Sequence, residues 1–166
     1  MNKTKEITKT AMLISIAVLL GYVESLFPPL VPVAGVKIGL ANIVIITELY
    51  SGHIKRSWTV SISKVVLCAL LFGSATSFVY SLSGAVVSLI IMLAAKKSGA
   101  FSLLGVSSLG GVFHNAAQLV CAYFFIGKGA LLYIPVLCLT GAISGLVTGL
   151  IANLLMKKGR GIFDKE

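Results

Sequence analysis

Long apolar runs separated by short hinges set the rhythm of the whole chain. Most runs approach the about 20 residues that a helix needs to cross a bilayer core. The pattern predicts an all-α membrane protein, a six-transmembrane-helix bundle in a single integral membrane domain over 1–166. The helices fall near 7–27, 38–52, 57–73, 76–95, 103–126 and 131–156. The second and third are short for a perpendicular crossing, so they either tilt or sit where the bundle thins around a cavity. Joining the third and fourth across Gly73–Ser77 gives five helices, but it separates the termini and loses the charge asymmetry that the hinges show.

The polar positions sharpen this picture. Of fourteen Lys and Arg residues, all but Lys37, Lys64 and Lys128 lie at the two ends or on alternate hinges. These are Lys3, Lys5 and Lys9, then Lys55 and Arg56, then Lys96 and Lys97, then Lys157, Lys158, Arg160 and Lys165. Cytoplasmic loops collect such residues, so both termini are expected in the cytoplasm. The N-terminus resembles a signal peptide, but its apolar run continues through Phe27 with no small-residue cleavage site, and it reads as the first membrane helix. The hydrophobic fraction of 57%, the charged fraction of 11% and a mean hydropathy of +1.02 agree. A net charge of +9 does not make a nucleic-acid binder, because the charge is confined to hinges and forms no stripe. It suits the anionic inner leaflet. Cys68, Cys121 and Cys138 lie inside apolar runs without metal-ligand spacing, and read as small apolar side chains.

Two segments stand out from the pattern. Between Pro28 and Lys37 three prolines and a glycine break any helix, yet the stretch is almost wholly apolar. It is either a lid over an outward-facing pocket or a tight turn buried against neighbours. In the sixth helix Gly141, Gly145 and Gly149 recur every four residues, forming a helix-packing stripe that faces another helix of the chain or another subunit.

Ionisable groups inside the bilayer cost about 2.5–3.5 kcal/mol each on insertion scales, so they need partners or a wet cavity. Glu24, Lys37 and Asn42 flank the proline-rich segment, and His114, Asn115 and Gln118 share the fifth helix at i, i+3 and i+4 spacings. Each amide alone reads as interhelical glue, but the cluster around His114 with Lys37 reads as a substrate-binding site for a ligand with acceptor groups and an apolar body. Glu48 and Lys64 read as an internal ion pair between neighbouring helices, with a proton or ion pathway as the alternative. Five acids, only two of them close together in the C-terminal tail, supply no carboxylate cluster for Mg²⁺, and no GxSxG, HExxH or Walker loop occurs. No catalytic residue and no metal site is therefore expected in this chain.

Several stretches carry a family resemblance across nearly the whole chain: Glu24-Ser25-Leu26-Phe27-Pro28, Val36-Lys37-Ile38-Gly39-Leu40-Ala41-Asn42-Ile43, Ser83-Gly84, His114-Asn115-x-x-Gln118, Tyr133-x-Pro135 and Gly149-Leu150-x-Ala152-Asn153. They resemble the bacterial Gx transporter family, also labelled heptaprenyl diphosphate synthase component I. That family is similar to the substrate-binding S components of energy-coupling factor transporters. The resemblance implies a multi-pass protein of the bacterial inner membrane that takes up a small vitamin-, quinone- or isoprenoid-like molecule. It implies partners, a coupling subunit and ATPases that use ATP, with no cofactor bound by this chain. It also implies that Lys37, Asn42, His114, Asn115 and Gln118 lie near the substrate, and that Ala11, Ser15, Ala17 and Gly21 dock the coupling subunit. The alternatives are a non-catalytic component of heptaprenyl diphosphate or menaquinone synthesis, and a stand-alone ion-coupled carrier.

Overall fold

The computed structural model describes residues 3–26 and 39–163. Those residues form six α-helices: α1 (Lys3–Ser25), α2 (Asn42–Tyr50), α3 (Ile54–Phe72), α4 (Ala75–Ser98), α5 (Leu103–Ile126) and α6 (Ile134–Phe163). A 3₁₀ segment, Gly127–Tyr133, joins the last two. The proline-rich stretch 28–37 and Lys37 lie outside the described residues.

Among the described residues, three stretches are long and apolar enough to cross a membrane: Lys3–Ser25, Ala75–Ser98 and Gly127–Lys158. The exterior is apolar, with Met12, Leu19, Leu70, Leu71, Phe124, Leu132 and Leu139 all exposed. Meanwhile Glu24, Glu48, Arg56, Ser61, Ser88, Ser107, Asn115, Gln118 and Thr148 are buried. Apolar outside and polar inside inverts the soluble pattern and identifies a membrane protein.

The α3–α4 junction excludes a merged helix. Gly73 leaves the helical conformation, and the Ser74 hydroxyl caps α4 by accepting from the Ser77 amide at 3.2 Å. Helix α2 is shorter than the run that contains it. Gly39 and Gly52, at φ +81° and +86°, hold left-handed turns on either side of it. A helix of nine residues rises only about 13 Å, under half the bilayer core. It is buried nearly all round: Ile43, Val44, Ile45, Ile46, Glu48 and Leu49 are all covered by neighbouring helices. With Ala17, Val60, Leu89, Met92, Val106 and Ala152 the apolar side chains of α2 form the main core.

On the other side, α5 packs backbone to backbone on α6. A Cβ added at Gly141 stands 2.6 Å from the Gly111 carbonyl oxygen, and one at Gly145 stands 2.4 Å from that of Ser107. At Gly149 it meets the Ser107 Cβ at 2.8 Å. The glycine stripe of α6 thus lies against α5 within the chain. Ser107 and Thr148 hydroxyls at 3.0 Å, and the Asn115 amide donating to the Leu137 carbonyl at 2.8 Å, tie the same seam.

Candidate functional site

Charged groups divide between two places. At the end where α1 starts, the α2–α3 turn reverses the chain and brings the first turn of α3 beside the last turn of α2. Arg56 therefore reaches Glu48 (Nη1–Oε2 2.8 Å) and also pairs with Glu6 of α1. His53 stands 3.7 Å from Glu48. Lys96 of α4 donates to the Leu49 carbonyl at 2.5 Å and lies over the Tyr50 ring. This knot ties α1, α2, α3 and α4 together. It also corrects the expected Glu48–Lys64 pair, because Arg56 takes the carboxylate and Lys64 lies about 12 Å further along α3 by helical rise.

The second place is a polar cavity of about 50 Å³ enclosed by α1, α2, α3, α4, α5 and α6. Glu24, Lys64 and His114 are its titratable lining groups among the described residues, joined by Asn42, Asn115 and Gln118. Glu24 accepts a hydrogen bond from the Gly39 amide, which fastens the end of α1 to the approach to α2. Gly39 fits there because its left-handed backbone and bare Cα let Ser144 and Thr148 of α6 close over it. His114 lies 3.2 Å from Gln118 (Nε2 to Nε2), one helical turn away. Its ring rests flat on α4, where a Cβ at Gly84 stands 2.8 Å from Cε1 and Nε2. Asn115 spends its amide nitrogen on Leu137 and so holds the α5–α6 seam while also lining the cavity. Glu24, Lys64, Val65 and Ser81 also line a second lobe of about 60 Å³ between α1, α3 and α4.

Of the sequence-predicted substrate residues, Glu24, Asn42, His114, Asn115 and Gln118 line one cavity, and Lys37 lies outside the described residues. The four small residues of α1 do not share a face. Ala17 and Gly21 are buried, Gly21 against Cys68 and Lys64 of α3, while Ala11 and Ser15 are exposed. Only the latter two are open to a partner, because at 100° per residue the centre of positions 11 and 15 lies about 120° around the helix from that of 17 and 21.

Residues 13–155 match the family Heptaprenyl diphosphate synthase component I. The chain belongs to that family. No curated protein and no solved structure matches it.

In this component I chain, the cavity also uses residues that pattern reasoning passed over. Lys64 was assigned to Glu48, although a lone charge within an apolar run already marked it. Ser61 sits one turn before it, and both line the cavity. Ser81 and Ser144 are too ordinary in membrane helices to signal a site. Gly84 signals only through its contact with the His114 ring. A larger hollow of about 520 Å³ lies between the end of α5 and the start of α6, lined by Leu119, Val120, Phe124, Leu131 and Ile134. Its walls are almost wholly apolar, with Val120, Phe124, Leu131 and Ile134 exposed, and offer little for specific recognition.

Proposed function

We propose that this chain is the substrate-binding membrane subunit of an uptake system, with six crossings, both termini in the cytoplasm and a place in the bacterial inner membrane. It takes a small vitamin-, quinone- or isoprenoid-like molecule into the polar cavity and works with a coupling subunit and ATPases that spend ATP elsewhere. The observation that carries this reading is the cavity itself. Burying a carboxylate and two amides inside an apolar bundle is costly, and six helices converge to do it around a void.

The role is non-catalytic on this reading. Glu6 and Glu48 are held by Arg56, and Glu24 is held by Gly39, so the described carboxylates are scattered and engaged. A stand-alone ion-coupled carrier is less well supported, since Glu48 belongs to the knot at the other end and not to the cavity of Lys64 and His114. The test is thermal unfolding of the purified chain with a panel of vitamins and quinone precursors, together with co-purification from its native membrane. A ligand-dependent rise in melting temperature and a co-purified coupling subunit support the proposal. Neither result leaves it standing if both are absent.

Membership of the heptaprenyl diphosphate synthase component I family favours a second reading, a non-catalytic component of heptaprenyl diphosphate synthesis. Deleting the protein should then lower synthase activity in membranes given saturating precursors. Unchanged activity excludes that role.

A further inference from the structure

The Gln118 carboxamide is buried to 5% exposure, and the contact with His114 uses only one of its two polar atoms. An amide nitrogen has no lone pair to offer, so Gln118 Nε2 donates and His114 Nε2 accepts. His114 is then the neutral tautomer with its proton on Nδ1. Gln118 Oε1 is buried without a hydrogen-bond partner among the described residues, and the residue lines the cavity. Leaving a buried acceptor unmet is costly, so a donor belongs against it.

The charges nearby narrow the chemistry. Among the described lining residues, one amine, Lys64, stands with one carboxyl group, Glu24. A phosphate or carboxylate brought to Gln118 sets an acceptor against an acceptor, with a buried carboxylate in the same wall. Resting on the reading of this cavity as a substrate site, we infer that the substrate end seated at Gln118 is a neutral N–H or O–H donor, an amide, lactam or hydroxyl, and not a phosphate or carboxylate. The rest of the molecule extends past Glu24 and Lys64, two of the four residues that the lobes share. Gly84 is the positioning residue for this contact, because it leaves room for the His114 ring to lie flat.

Two measurements on the full chain in lipid nanodiscs test this. The first is ¹⁵N NMR of the histidine rings, with His53 assigned by H53Q. The expected result is an unprotonated His114 Nε2 and a protonated Nδ1. A protonated Nε2 overturns the inference and leaves the substrate-site reading intact. The second is thermal unfolding with benzamide, benzoate or inorganic pyrophosphate at millimolar concentration. Benzamide alone should raise the midpoint, and Q118M should abolish that rise. An equal or larger shift from benzoate or pyrophosphate, or a benzamide shift that survives in Q118M, overturns the donor assignment while keeping the site. No shift from any of the three overturns the substrate-site reading itself.

Discussion

Gly111→Ala puts the α5–α6 seam under the sharpest test. The new Cβ would lie 2.1 Å from the Gly141 carbonyl oxygen, whereas ordinary contact begins near 3.4 Å. No side-chain rotation relieves this, because both sides of the clash are backbone. The helices must part by roughly an ångström, and overpacking of this kind costs about 1–3 kcal/mol. Parting also stretches the Ser107–Thr148, Ser108–Ala142 and Asn115–Leu137 hydrogen bonds. Interhelical bonds of this type average about 0.6 kcal/mol each, so the total loss should reach about 3–5 kcal/mol. Equilibrium unfolding in bicelles titrated with sodium dodecyl sulfate, followed by circular dichroism, measures it. G145A, whose Cβ meets the Ser107 carbonyl at 2.4 Å, should cost nearly as much. G149A meets a side chain and should cost less, while G129A, with nothing within 4 Å, should stay within about 0.5 kcal/mol of wild type. A G111A protein as stable as G129A refutes the reasoning.

Other outcomes follow from the same geometry. Arg56→Met strands the buried Glu48 carboxylate and should destabilise by about 3 kcal/mol in the same assay; R56M/E48Q should recover most of that loss. Gly84→Ala pushes on a movable ring and not on backbone, so stability should fall by only about 1 kcal/mol while ligand-dependent melting shifts disappear. Ala17→Leu should lower the melting temperature, because that position is fully buried, whereas Ser15→Leu should leave it unchanged and reduce recovery of a coupling subunit in pull-downs. Unchanged recovery with S15L removes the exposed half of the α1 stripe from the docking assignment.

Hydrophobic runs set out the helices plainly because each run is long and each hinge carries charge or a breaker, as Ser74 and Gly73 do between α3 and α4. Helix α2 was overextended, since apolar content cannot show that Gly39 and Gly52 turn left-handed at its two sides. The clustering of Glu24, Asn42 and His114 could be anticipated from polarity within apolar runs, which is costly wherever it occurs. Pairing could not. Helix α3 offers Glu48 three basic residues, Lys55, Arg56 and Lys64, and only the tight reversal at Ser51–His53 places Arg56 beside it. Ser83-Gly84 carries part of the family resemblance, but the role of Gly84, the space it leaves for the His114 ring of another helix, is not legible in the sequence.

Native mass spectrometry of the gently extracted chain, wild type beside Ala85→Leu, bears most directly on the proposed site. Ala85 lines the cavity from α4, and the larger side chain fills it. One small molecule should accompany each wild-type chain and be missing from A85L. A bare wild-type chain, or a mass that persists in A85L, contradicts a substrate site in this cavity.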